Sequence, residues 1–226
     1  MFEKIKKKFS KKLFSLLLSN NPELAKLFSG KYDFDFIANV IFRSAVSEKS
    51  KIYAPYKVHN STVGEYTYIS INSTIVATDI GKFCSIGPNF KCGWGIHPTN
   101  GLSTSPMFYS TKKQNGFSLS SEDKVIEQKR ICIGNDVFIG MNVVVLDGVK
   151  IGDGAIIGAG TIVAKDVPPY AIMVGSPAII LRKRFDEKTI EALLEIQWWN
   201  FSDEKLKEVE AGFFDIDNFI KKHSLR

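Results

Sequence analysis

Cysteine and histidine are scarce in this 226-residue sequence, three of each. Cys84, Cys92 and Cys132 are odd in number and form no Cys-x-x-Cys pair, which argues against a disulfide framework and a thiolate metal site. They read as free thiols acting as small buried hydrophobes in a reducing compartment. Long apolar runs are missing as well. No stretch approaches a membrane span. The run Leu13–Leu18 is broken by Ser15, too short for a signal-peptide core, and followed by no clear cleavage site. A cytoplasmic protein is expected. Net positive charge outside the N-terminus is also in short supply. Residues 1–30 hold seven lysines against two glutamates, so they carry five of the net +6. The remainder is nearly neutral and shows no basic stripe interleaved with aromatics, which argues against nucleic acid as a partner.

What is present begins with that basic segment. Phe2, Ile5, Phe9, Leu13 and Leu17 recur at three- or four-residue spacing, the period of one helical face. Two readings stay open for it: a helix lying on anionic lipid at the inner face of a membrane, or a solvated helix packed on its own domain.

From Ile133 onward an aliphatic residue recurs every six positions, at Ile133, Ile139, Val145, Ile151, Ile157 and Val163. Small residues often follow it, as at Gly134, Gly140, Gly152, Gly158 and Ala164. A helix has no six-residue period, and strand alternation would not space glycines this way. Hexapeptides predict a β-solenoid in which each hexad supplies one short strand and one turn, three hexads making a coil. The repeated aliphatics point inward and stack from coil to coil. An earlier run carries the pattern less regularly: Val63, Ile69 and Ile75, then a slip of one residue to Ile80, Ile86 and Cys92, with Ile52 and Val58 as candidate starts. The slip fits a bulged corner or a loop.

Residues 93–130 carry no hexad pattern, and a non-repeating excursion inside a solenoid is a natural place for function. After the repeat, Asp186 and Glu187 precede apolar residues at Ile190, Leu193, Leu194 and Trp198, and Ser202 with Asp203 and Glu204 marks a second helix start running to about Val209. These helices are expected to close the end of the prism. The expected organisation is a basic helical extension over 1–48, a mainly β solenoid over 49–182 with its excursion at 93–130, and a helical segment over 183–226.

The hexad run and the segment IGAGTIVAKDVPPYAIMVGSPAIILRKRF resemble the hexapeptide-repeat acyltransferases, left-handed parallel β-helices. HPTNGLSTSPMFYS and the later WWNF resemble the branch that holds the xenobiotic acetyltransferases and many bacterial O-acetyltransferases of surface polysaccharide. The resemblance covers roughly residues 50–210. It implies a homotrimer with a site between neighbouring prisms, acetyl-CoA as co-substrate, no metal, and a catalytic histidine at His97. Carried over in the same way, the acetyl-CoA contacts fall on Phe138, Met141, Ala159, Ala164, Lys165 and Arg182. Trp94, Phe108 and Tyr109 flank the His97 loop as candidates for a sugar-stacking wall, or for packing between subunits. Two positions depart from the family's habit: Ile96 replaces the asparagine common before the histidine, and Phe138 replaces a frequent tryptophan, losing its N–H donor.

The chemistry asks for such a histidine independently. An alcohol is a poor nucleophile near pH 7, and a neutral imidazole can take its proton as it attacks a thioester. The implied activity is acetyl transfer to a hydroxyl of a surface glycan or its sugar precursor. Alternatives are acetylation of an antibiotic of the chloramphenicol or streptogramin type, N-acetylation of a nucleotide sugar, and a non-catalytic trimeric scaffold. A γ-class carbonic anhydrase would need three zinc-binding histidines at subunit interfaces and fits poorly, with His223 in the tail.

Overall fold

The computed structural model describes residues 39–224. The basic N-terminal segment, with both readings of its helix, lies outside them.

Short parallel strands build a three-faced prism. The first face has six strands, the second five and the third seven. Successive strands step from face to face, so the six strands of the first face count six coils. The solenoid already begins at Val40–Phe42, ahead of the expected start at 49. Alternation explains the strands: in each pair of residues one side chain points in and the other out. The inward columns are the expected ones, extended by Val167 and Met173 beyond the last expected hexad at Val163. Val58, Ile75, Cys92, Val145 and Val163 line the first face, Val63, Ile80, Ile133, Ile151 and Val167 the second, and Ile69, Ile86, Ile139, Ile157 and Met173 the third, all buried.

The one-residue slip is a property of a corner. Val58 pairs beside Ile75 and Ile75 beside Cys92, a coil of 17 residues, whereas Val145 pairs beside Val163, a coil of 18. In the early coils the turn from first to second face is made around a single left-handed residue, Arg43, Asn60 or Ala77, with φ of 50°, 48° and 48°. Each is one residue shorter than the later corner at Leu146–Gly148. The slip is therefore a tight corner repeated in register.

The corner from third to first face uses asparagine. Asn72, Asn89 and Asn142 have φ of 59°, 62° and 58°, and their amides form a ladder, Asn72 Nδ2 donating to Asn89 Oδ1 at 2.7 Å and Asn89 Nδ2 to Asn142 Oδ1 at 2.8 Å. Asparagine tolerates the left-handed region better than residues with a bulkier Cβ substituent. Asn89→Ala is expected to cost about 2 kcal/mol, combining backbone strain with lost ladder bonds. Asn89→Gly keeps the backbone and loses only the ladder, so it is expected to melt above the alanine variant in thermal denaturation.

The third corner explains where the C-terminal segment goes. Tyr66, Phe83, Asp136 and Tyr170 occupy it, all with positive φ, and the fourth coil's neighbour there is Gly154, where a Cβ would come within 2.4 Å of the Tyr170 ring. Tyr66 stacks on Phe83 and Phe83 meets Trp198, both at 5.0 Å between centroids. Asp203 accepts from Tyr66 at 2.7 Å and pairs with Lys49 at 2.9 Å. The segment after the solenoid thus runs along this aromatic corner rather than closing the prism's end, because the apolar strip is on the edge. The last strand of the third face is instead covered by an antiparallel one, Ile179–Lys183.

Helix α1, Glu187–Ile196, is capped by Asp186, whose carboxylate accepts from Thr189 N–H at 2.8 Å. Ser202 precedes a turn, and α2 starts only at Leu206, spanning Leu206–Ala211. A third helix, α3, Ile216–His223, was not foreseen; its cap is Asp215. Ile190, Leu193 and Phe219 form a small second core around Tyr170. Arg184 ties this core to the prism, reaching Asp136 at 3.0 Å and the Gly154 carbonyl at 2.8 Å. Burial pushes the Asp136 carboxyl above the usual carboxylate range, and Arg184 opposes that rise.

Cys84 and Cys92 are buried, their thiols pushed up by burial to about 12 and about 11. Cys132 departs from the expectation of three buried thiols: it points outward from the second face and is exposed. All three are free. Among the described residues no helix is long and apolar enough to cross a membrane, and no group of acidic, histidine or cysteine side chains could hold a metal.

Candidate active site

The excursion leaves the prism after Lys91–Cys92 on the first face and returns at Ile131–Ile133 on the second. It is an insertion at the same corner that Ala77 turns one coil earlier. Gly93, φ 73°, makes the departure possible, since a Cβ there would lie 2.0 Å from the Val76 carbonyl oxygen. Asp147, one coil further on, holds both feet. Its carboxylate accepts from Gly95 N–H at 2.9 Å on the way out and from Lys129 N–H at 3.2 Å on the way back. Ile96 N–H donates to the Glu127 carbonyl at 2.7 Å, a backbone bond that leaves the side chain at 96 free to vary.

Further out, Glu127 is the hub. Its carboxylate takes Ser110 Oγ at 2.8 Å, Gln114 Nε2 at 2.6 Å and Lys112 Nζ at 2.7 Å. Burial works to raise its pKa, but these donors prevail and hold it below the ordinary carboxylate range. A depressed folded-state pKa gives stability that is complete above the unfolded value and lost as pH falls through the folded one. Amide exchange at residues 110–114 is therefore expected to accelerate as pH drops below 4.5, the ordinary glutamate value, after correction for intrinsic rates. Glu127→Gln should raise exchange at neutral pH and abolish that acid response.

His97 sits on the outgoing limb and is exposed. Its Nδ1 lies 2.9 Å from the Thr104 carbonyl oxygen and 2.8 Å from Tyr109 Oη. A carbonyl can only accept, so the Thr104 contact is a hydrogen bond when Nδ1 carries the hydrogen, and the lone pair of neutral imidazole then falls on Nε2. That is the tautomer a general base needs.

The other expected site residues separate. Trp94 is 78% exposed and Phe108 48%, whereas Tyr109 is 5% exposed and turns its hydroxyl on His97. Of the three, only Trp94 and Phe108 offer a face for stacking. Phe138 and Arg182 share one outward row of the third face, through Phe138 beside Ile156, Ile156 beside Ile172 and Ile172 beside Arg182. Met141 and Ala159 stand next to that face on the asparagine corner, Gly160 N–H donating to the Met141 carbonyl at 2.8 Å. Ala164 and Lys165 lie across the first face, on the corner that carries the excursion. There Ala164 joins Trp94, Lys91, Leu146 and Asp147 around a cavity of about 420 Å³. A wider recess of about 570 Å³ on the second face, between Asp79, Cys132, Lys150 and Pro168, holds none of the expected site residues. Asp147, Glu127 and Thr104 were not anticipated. Asp147 carries no signal beyond a polar residue at a hexad corner, and Thr104 acts through its backbone.

A parallel β-helix interrupted once, with a histidine on the interruption, defines a class, and sequence comparison gives the family. Residues 133–165 match the family described as bacterial transferase hexapeptide, six repeats. The chain is 44% identical over 131 residues to a chloramphenicol acetyltransferase of Klebsiella aerogenes, covering 57% of this chain and 61% of that one. It is 38% identical to a probable macrolide acetyltransferase of Lysinibacillus sphaericus, covering 72% and 91%, and 34% identical to a virginiamycin A acetyltransferase of Staphylococcus aureus, covering 91% and 94%. The chain belongs to the bacterial hexapeptide-repeat transferase family, in the branch that includes these acetyltransferases.

Proposed function

We propose that this protein transfers an acetyl group from acetyl-CoA to a hydroxyl, with His97 as the general base. The observation that carries the reading is the Nδ1 contact with Thr104, which leaves Nε2 free to accept a proton. The acceptor hydroxyl attacks the thioester carbonyl and gives its proton to Nε2. As the C–O bond forms and the C–S bond breaks, that proton passes to the departing thiolate. Holding both reactants in line removes the need for a covalent enzyme intermediate.

Several features support acetyl-CoA as co-substrate. Phe138 and Met141 are exposed apolar side chains beside the small Ala159, where a pantetheine arm could approach the backbone. Lys165 and Arg182 are exposed cations suited to phosphates. These groups occupy two different corners of one prism, so a pocket around all of them needs a second copy. That supports a homotrimer in which the excursion of one protomer faces the third face of the next. Leu102, Phe117, Leu119 and Ile126, all exposed on the excursion, would gain cover there.

We assign the acceptor to a sugar of a surface glycan or its precursor, stacked on Trp94 and Phe108. The names of the relatives favour a second reading, an antibiotic hydroxyl. Release of CoA measured against a panel of sugars, nucleotide-linked sugars, chloramphenicol, a streptogramin and a macrolide tests both. Turnover of an antibiotic above every sugar would replace the first reading, and amine-bearing acceptors turning over alone would replace hydroxyl transfer. No acetyl-CoA binding in calorimetry would return the chain to a scaffold. For residues 1–18, salt-sensitive binding to anionic vesicles that is lost on their deletion would support membrane contact. No binding at low salt would remove it.

A further inference from the structure

We propose that Tyr109 is a positioning residue for His97, its hydroxyl and the Thr104 carbonyl forming a two-oxygen seat for Nδ1–H. The inference rests on the reading of His97 as base and extends it to the group that aims it.

Proton accounting leads to this seat. Tyr109 Oη is 2.8 Å from His97 Nδ1 and 3.5 Å from the Thr104 oxygen, and Nδ1 is 2.9 Å from the same oxygen. If the phenol gave its hydrogen to Nδ1, the imidazole lone pair would be spent there and Nε2 would carry the proton. The Thr104 oxygen would then face a nitrogen with no hydrogen to offer. With the hydrogen on Nδ1, both oxygens accept from it, and the phenol turns its own hydrogen toward Thr104. Every partner is then satisfied, which is the arrangement a nearly buried group requires. The phenol also stays neutral: burial, and then the charge of Glu127, raise its pKa. Its contribution is therefore a dipole, and acceptance from Nδ1–H strengthens when His97 becomes imidazolium.

The surroundings suit a rigid seat. Tyr109 follows the short 3-10 turn Pro106–Phe108, and its own N–H donates to the Pro106 carbonyl at 3.2 Å. Ser110, the next residue, is fixed by Glu127. The imidazole meets the phenol ring edge-on, at 88°, so the pair locks the ring plane as well as the tautomer. His97 and Tyr109 are twelve positions apart, and the intervening limb folds back so that its two ends meet here.

The test uses full-length protein labelled with ¹⁵N on histidine. With three histidines in the chain, a His97→Ala spectrum assigns the resonance. In wild type, His97 is expected in the Nδ1–H form. In Tyr109→Phe, which keeps the ring and the fold, the Thr104 carbonyl still holds the hydrogen on Nδ1, and the Nδ1 resonance should move upfield, the sign of an Nδ1–H group that has lost one of its two acceptors. With the best acceptor from the panel, kcat should fall about tenfold, the scale of one hydrogen bond to a charged group, with KM for acetyl-CoA unchanged. The inference is overturned if Tyr109→Phe leaves the Nδ1 resonance where it is in wild type, whatever its turnover. It is equally overturned if that resonance moves while kcat does not fall. Failure of the base reading has a separate signature: His97→Ala would retain turnover, and the contact seen by NMR would then have no catalytic role.

Discussion

Replacing His97 by alanine is expected to lower kcat by about 10²–10⁴-fold, the usual contribution of a general base, with acetyl-CoA affinity and melting temperature close to wild type. The geometry explains the split. His97 is exposed on the excursion and hydrogen-bonds Thr104 and Tyr109 within it, so its removal disturbs neither the stacked columns nor the corner that carries Met141 and Ala159. A loss confined to kcat and kcat/KM removes an interaction made only in the transition state. Wild-type turnover by the variant would remove His97 from the mechanism. A variant with lost acetyl-CoA affinity would make His97 a binding residue.

The second large effect is on folding. Ile139 is fully buried at the centre of the third column, between Ile86 and Ile157. Ile139→Asp puts a carboxylate where every neighbour is apolar, at a cost of several kcal/mol, roughly the whole stability of an ordinary domain at about 5–15 kcal/mol. The expected outcome is insoluble or unfolded protein, read by solubility and circular dichroism. Ile139→Val, by contrast, should cost about 1 kcal/mol and purify normally. A soluble Ile139→Asp protein with an unchanged melting temperature would contradict the inward assignment of the column.

The columns were legible because a period of six is written in side chains, one inward aliphatic per face from Val63 to Val163. Of the first coil only Ile52 was read; Ile41 and Val46, which pair beside Val58 and Val63, precede enough repeats to establish a phase. The slip between Ile75 and Ile80 was visible as a number, but only backbone dihedrals identify it as a corner turned on one left-handed residue. The course of the C-terminal segment was hidden for a different reason. Asp186 and the apolar spacing to Leu194 announce a helix, yet what the helix lies on is decided by Tyr66, Phe83 and Tyr170, residues far apart in sequence that share a corner only after folding.

The site divides along the same line. His97 came from its place in the interruption and from family resemblance, and the structure sets its Nδ1 against the Thr104 carbonyl and the Tyr109 hydroxyl. Tyr109 was legible as an aromatic beside that loop, but not as a buried one, because burial depends on how residues 104–110 fold back over His97. Asp147 was beyond reach, since a carboxylate that gathers two backbone amides from either end of an excursion leaves no trace in local spacing.

The excursion departs and returns at a corner that Asn60 and Ala77 turn with one residue each, and this separates inheritance of the scaffold from inheritance of the chemistry. A chain in which that detour were swapped for a single tight turn would keep every column in phase and lose only its reactive limb. The same junction would accept a detour of another length or composition so long as Gly93 could swing away and Asp147 could grip what came back. The excursion is in that sense a replaceable cassette, and the prism beneath it does not depend on what the cassette carries.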